Sequence, residues 1–306
     1  MLASIVLFIL TAAGPDAVTT GPVEEVRNGH GFAEGPLWLP ALERFVFTDI
    51  PADTIFKTDG APYRLASGKS NGITLDPQGR LVTCQHWLRR VSRVEADGRV
   101  TVLADSFEGK KLNSPNDLCV RSDGTIYFSD PPFGLMYFGP KREAELEFQG
   151  VYRIAPDGTL TLEERDMEMP NGVALSPDEK VLYVSDDIDN GNVMAFDVAP
   201  DGSLSNKRLF VDGLVPDGLK VDVEGNMWVT SRYEVEVFAP DGNHIGSITF
   251  PQKTANCAFG GEDSKTLLVT ARKGVYKVRT AIAGIHPQRG PVHRKGNTPG
   301  ATRVGN

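Results

Sequence analysis

Two stretches decide the fold: Asn116–Asp130 reads NDLCVRSDGTIYFSD and Asn171–Asp186 reads NGVALSPDEKVLYVSD. Each is a polar opening residue, a β-rich run, an Asp-containing turn and a second β-rich run. The pattern recurs as EGPLWLPALERFVFTD from Glu34, NGITLDPQGRLVTCQ from Asn71, DGLKVDVEGNMWVTS from Asp217 and NCAFGGEDSKTLLVTA from Asn256. Successive openings fall 37, 45, 55, 46 and 39 residues apart, the spacing of four-stranded propeller blades. Between the copies lie further hairpins with Asp-Gly turns, such as RVSRVEADGRVTVLAD from Arg90 and EVEVFAPDGNHIGSITF from Glu234. The last copy offers GVYKV (Gly274–Val278) without a partner after it, while VEEVRNG (Val23–Gly29) stands spare near the N-terminus. An all-β, six-bladed propeller of four-stranded blades is therefore expected, closed by the N-terminal strand joining the last blade.

Composition agrees with this class. Of 306 residues 40% are hydrophobic, and 32 glycines and 21 prolines supply many tight turns. Acidic residues outnumber basic ones by 40 to 32, and no basic stripe suggests nucleic acid, so the expected partner is a small molecule. Cys84, Cys119 and Cys257 form no C-x-x-C pair and no even framework. The apolar run Met1–Ala13 is too short to span a bilayer. Residues 1–17 read instead as a leader, which implies a periplasmic or secreted protein, although no Lys or Arg precedes the run and a cytoplasmic location is the alternative. Residues 18–282 are assigned to the propeller and 283–306 to a flexible tail. The oligomeric state is left open.

The six opening residues are Glu34, Asn71, Asn116, Asn171, Asp217 and Asn256, and each carries a side-chain oxygen. Asn and Asp also favour turns, which accounts for any one of them alone. A whole ring of oxygens, without His or Cys, fits a hard divalent cation such as Ca²⁺ better than zinc. The same ligands tolerate Mg²⁺, Mn²⁺ or Zn²⁺. The second strands return to the same face, so Asp49, Gln85, His86, Asp130, Asp186, Arg232 and Arg272 are expected around a polar pocket. Gly68–Gly72 fits G-x-S-x-G, but a strand rather than a helix follows the serine, which excludes a nucleophile elbow.

On the motifs FAEGPLW, SNGITLDPQGRL, LNSPNDLCVRSDGTIYFSDPPFG, MPNGVALSPDEK, VPDGLKVDVEGNMWV and ANCAFGG, the chain resembles the gluconolactonase/regucalcin (senescence marker protein) family. The likeness runs from about Val23 to Val278 and is nearer to bacterial gluconolactonase-type members. It implies a metal held by Glu34, Asn171 and Asp217, with Asn116 binding metal or substrate. It also implies hydrolysis of a sugar lactone such as gluconolactone, with Asp217 orienting or deprotonating the attacking water. Water activated by the cation is the other source of the nucleophile. His86, Asn116, Asp130 and Arg232 are candidates for substrate contacts. Gln85 and Trp87 stand where the family pattern has an acid and a glycine. A phosphotriesterase-like hydrolase on the same metal and a non-catalytic binding or scaffold propeller are the competing readings.

Overall fold

A computed structural model describes residues 18–285. Six four-stranded antiparallel sheets follow one another around a central channel, the first five running outward in chain order. Blade I is Ala33–Leu39, Arg44–Asp49, Thr54–Lys57 and Pro62–Leu65; blade II is Ser70–Leu75, Leu81–Gln85, Arg90–Val94 and Val100–Ala104. Blade III is Leu118–Val120, Ile126–Asp130, Gln149–Ile154 and Leu160–Met167; blade IV is Pro170–Leu175, Val181–Asp186, Gly191–Val198 and Leu204–Leu214. Blade V is Pro216–Val221, Met227–Ser231, Glu234–Phe238 and His244–Thr249. Blade VI takes Asn256–Gly260, Thr266–Ala271 and Gly274–Arg279 from the C-terminal side and Glu24–Arg27 from the N-terminal side. The closing strand pairs Glu24 with Lys277 and Arg27 with Val275, as the spare N-terminal segment required.

Six buried apolar clusters occupy the six seams between neighbouring blades. Leu37, Val46 and Ile55 of blade I meet Ile73 and Leu81 of blade II. At the far side Trp228 and Val237 of blade V meet Phe259 and Val269 of blade VI. The inner strands are squeezed between two seams and the channel, and so they are buried nearly throughout instead of alternating. Burying each large side chain contributes roughly 1.5–3 kcal/mol. The seam between blades VI and I, built on Ala33, Phe45, Phe47, Leu268 and Val275, is the smallest of the six.

Two recurrent sequence details turn out to be joints between blades. The hydroxyl that precedes the last residue of a second strand reaches into the next blade. Thr48 Oγ1 donates to the Asn71 carbonyl at 3.1 Å, Ser129 Oγ to Asn171 at 2.5 Å and Ser185 Oγ to Asp217 at 2.6 Å. The glycine after an opening residue lies against the next opening residue. A Cβ on Gly72 would sit 2.6 Å from the Asn116 carbonyl oxygen, and one on Gly172 would sit 2.6 Å from that of Asp217. These N-G dipeptides therefore owe their glycine to close approach, not to turn geometry.

Three details differ from expectation. A small extra hairpin, Ser106–Phe107 with Lys110–Lys111, precedes blade III. The inner strand of that blade begins at Leu118, so Asn116 lies in the segment leading into it. Ala283–Ile285 is no part of a loose tail, since the Ala283 carbonyl accepts from Val223 N–H and Gly284 N–H donates to Ser264. The proposed leader and the remainder of the tail lie outside the described residues. Among the described residues no helix is long and apolar enough to cross a membrane.

Candidate functional site

In four blades the ladder between the first two strands is interrupted at the opening residue. The register shifts between Glu34 and Leu37, Ser70 and Ile73, Pro170 and Val173, and Pro216 and Leu219. A bulge there swings the local side chain off the sheet plane. Asn71, Asn171 and Asp217 sit in these bulges, Glu34 borders one while still paired with Thr48, and all four line one cavity of about 480 Å³ at the mouth of the channel. Asn116 lines it too, from just before its strand. Asn256 is in an unbroken ladder. It faces deeper, hydrogen-bonding the Glu34 carboxyl and donating to Asp117 Oδ2 at 3.4 Å.

The rest of the lining is two-sided. Phe32, Phe133, Tyr137 and Phe138 form an aromatic wall, and Asp187, Lys253 and Arg272 face the carboxylates. The wall comes mainly from residues 131–148, the long connection inside blade III. Its short helix, Phe133–Met136, is pinned by Gly134 N–H donating to Ser114 Oγ at 2.9 Å. Phe138 stacks on His86 with centroids 5.6 Å apart. The Arg142 guanidinium lies 4.2 Å over the Trp87 ring and Nη1 donates to the Trp87 carbonyl at 2.9 Å. Trp87 thus anchors the wall instead of touching the pocket. Gln85 is likewise internal: its Nε2 donates to Ser67 and its Oε1 accepts from Arg90.

The second-strand ends divide in an unexpected way. His86 and Arg272 reach the cavity; Asp49, Asp130, Asp186 and Arg232 do not. The three aspartates tie down the backbone that leads into the inner strand of their own blade. Asp49 accepts from Gly31 and Phe32 N–H, Asp130 from Asn113 N–H at 2.7 Å, and Asp186 from Glu168 and Met169 N–H. Asp130 is fully buried, which excludes the substrate contact expected of it. Arg232 is exposed beyond the rim, in a turn with φ of +55°. Asp187, Lys253 and the aromatic wall were not read from the sequence. Only the second aspartate of VSDD and the phenylalanine of DPPFG hinted at them.

Burial dominates the electrostatics. Glu34 is 2% exposed, and loss of water with the nearby Asp117 carboxylate raises its pKa to about 7. Asp217 is partly exposed, yet desolvation, Glu34 and Asp187 push its carboxyl well above the usual range. His86 is fully buried, and desolvation lowers its pKa to about 4, so the ring is neutral. Its Nδ1 lies 3.1 Å from the Ser114 carbonyl and must donate; Nε2 then accepts from Asn71 Nδ2 at 2.9 Å. Both nitrogens are engaged, so His86 has none left for a substrate.

The fit to a cation is good on the donor set. Asn171 Nδ2 donates to Asp187 Oδ2 at 3.2 Å, leaving its buried Oδ1 without a donor. Two carboxyls that share a desolvated mouth with free amide oxygens are suited to a hard cation. No group of three or more His, Cys, Asp or Glu side chains gathers for a metal among the described residues, because amides supply much of this ring. A larger cavity of about 730 Å³ lies at the opposite end of the channel, lined mainly by apolar residues such as Leu37, Val173 and Phe259. It lacks the ring of oxygens.

Fold and site together define a six-bladed propeller with an oxygen-lined pocket at one channel mouth. Residues 32–273 match the SMP-30/Gluconolactonase/LRE-like region, and the chain belongs to that family. A gluconolactonase of Zymomonas mobilis is 33% identical over 294 residues, covering 86% of this chain and 82% of the relative. The structure of XC5397 from Xanthomonas campestris, described as a gluconolactonase, is 36% identical with a TM-score of 0.78, over 84% of this chain and 89% of that one. A calcium-binding regucalcin from Agrobacterium tumefaciens, 21% identical with a TM-score of 0.73 over 91% and 98%, shares the fold.

Proposed function

We propose that the protein is a lactonase that hydrolyses a sugar lactone such as gluconolactone to the open acid, with a divalent cation, Ca²⁺ by preference, in the pocket. The observation that carries this reading is the convergence of Glu34, Asn116, Asn171 and Asp217 on one mouth, with the Asn171 oxygen buried and unmet. Glu34, Asn171 and Asp217 would hold the ion, with Asn116 beside them. A bound cation supplies Lewis acidity toward the lactone carbonyl oxygen. Asp217, the partly exposed carboxyl of the ring, would orient water or take its proton. The aromatic wall offers flat apolar faces to the C–H side of a sugar ring and keeps bulk water from that side. Lys253 and Arg272 moderate the carboxylates, lowering the cost of holding Asp187 and Asp217 together.

The test is a lactone-hydrolysis screen with and without chelator, followed by readdition of Ca²⁺, Mg²⁺, Mn²⁺ and Zn²⁺. Turnover is expected to vanish with chelator and return with Ca²⁺. Asp217→Asn should lose turnover by about 10²-fold or more, the scale of a lost general base. Full turnover in Asp217→Asn with metal bound would end the base assignment. The leader over residues 1–17 is a separate proposal, checked by N-terminal sequencing of the protein secreted from its host.

A further inference from the structure

Asn71 was left outside the ligand set, yet it shares the traits of the residues placed in it. It sits in a bulge, as do Asn171 and Asp217, and lines the same cavity as they and Glu34 do. It is 4% exposed. Its Nδ2 makes two bonds, to His86 Nε2 at 2.9 Å and to Asn116 Oδ1 at 3.0 Å. Its Oδ1 is buried and has no donor, the same state as Asn171 Oδ1.

The orientation of this amide is fixed from outside. A backbone carbonyl can only accept, so Ser114 forces the proton onto His86 Nδ1. Nε2 of the neutral ring then accepts, and only the NH₂ end of Asn71 can face it. The oxygen is turned the other way. Asn116 differs, since its own Oδ1 already accepts from Asn71.

We propose that Asn71 Oδ1 is a direct ligand of the divalent cation, presented by His86 acting as a positioning residue. The proposal rests on the cation-binding part of the function proposed above, and its test does not use turnover. Ca²⁺ is titrated calorimetrically into wild type and Asn71→Ala, and Eu³⁺ luminescence lifetimes count the waters on a substituted ion. Asn71→Ala is expected to weaken Ca²⁺ binding about tenfold or more and to add one water to Eu³⁺. The backbone of residue 71 remains held by Thr48 Oγ1, and Asn71→Ser serves if the alanine variant does not fold. His86→Phe, which keeps a ring against Phe138 but offers no acceptor, should weaken Ca²⁺ binding as well. His86→Gln, whose Oε1 can accept from Asn71, should restore it. Unchanged affinity and water count in Asn71→Ala would overturn the proposal while leaving the lactonase reading intact. Weaker binding with an unchanged water count would also overturn it, placing Asn71 behind Asn116. A wild type that binds no divalent cation would sink both.

Discussion

Two rings of polar residues face the same end of this propeller, and they do opposite work. Of the residues that open the inner strands, Asn71, Asn171 and Asp217 are released from the ladder by bulges and turn into the channel, and Glu34 borders a fourth. The residues that end the second strands stay in register, as Asp49 does opposite Thr54 and Asp130 opposite Gly150. Their carboxylates turn back to unmet N–H groups in their own blades. For Asn71, Asn171 and Asp217 against Asp49, Asp130 and Asp186, chemically similar side chains are separated into site and scaffold by a backbone bulge.

The largest effects should separate the rings. Glu34→Gln is expected to cut turnover about a hundredfold or more while leaving the melting temperature nearly unchanged, read by lactone hydrolysis and thermal unfolding. Asp186→Ala should do the reverse. It leaves Glu168 and Met169 N–H groups without an acceptor, a loss of about 1–3 kcal/mol for each, while turnover per folded molecule persists. Equal loss of turnover in both variants would erase the distinction.

Gly172→Ala probes the boundary between the rings. Its methyl would press on the Asp217 carbonyl, so stability should fall by about 1–3 kcal/mol and turnover should fall with it. Ser185→Ala removes the hydroxyl that donates to that same carbonyl and accepts from Gly172 N–H at 2.7 Å. A loss of about 1–2 kcal/mol in chemical denaturation is expected, with KM barely altered.

The smallest effect concerns Asp130, whose burial raises its pKa to about 7 from the usual carboxyl value. The folded state therefore holds this proton more tightly than the unfolded chain. The resulting stabilisation is complete below an unfolded pKa of about 4 and is lost as pH rises through about 7. Asp130→Asn should flatten that decline, melting higher than wild type at pH 8 by about 2 °C, with the gain shrinking to nothing below about pH 4. An identical pH profile in both proteins would contradict the assignment.

Much of this was legible beforehand because blades are local. Opening residue, turn and returning strand follow within some fifteen residues, so register and ring position can be counted along the chain, down to the strand that closes blade VI. The six opening residues were readable for that reason, and the structure brings Glu34, Asn71, Asn116, Asn171 and Asp217 to one pocket. Asp130 and Arg232 were misplaced because strand direction gives the height of a side chain but not the way it turns. Asp130 turns inward to satisfy Asn113 N–H, a need set by a loop 17 residues earlier. The aromatic wall was invisible because residues 131–148 have no counterpart in the other repeats, and their position depends on Trp87 and His86 of another blade. Sequence alone determined the six blades, their closure and the oxygen ring, since each follows from short-range pattern repeated. Only the tertiary structure decided which oxygens are free, because that depends on a hydrogen-bond chain within and across blades: His86 donates to Ser114 of the next blade, and Asn71 donates to His86 in its own blade and to Asn116 in the next.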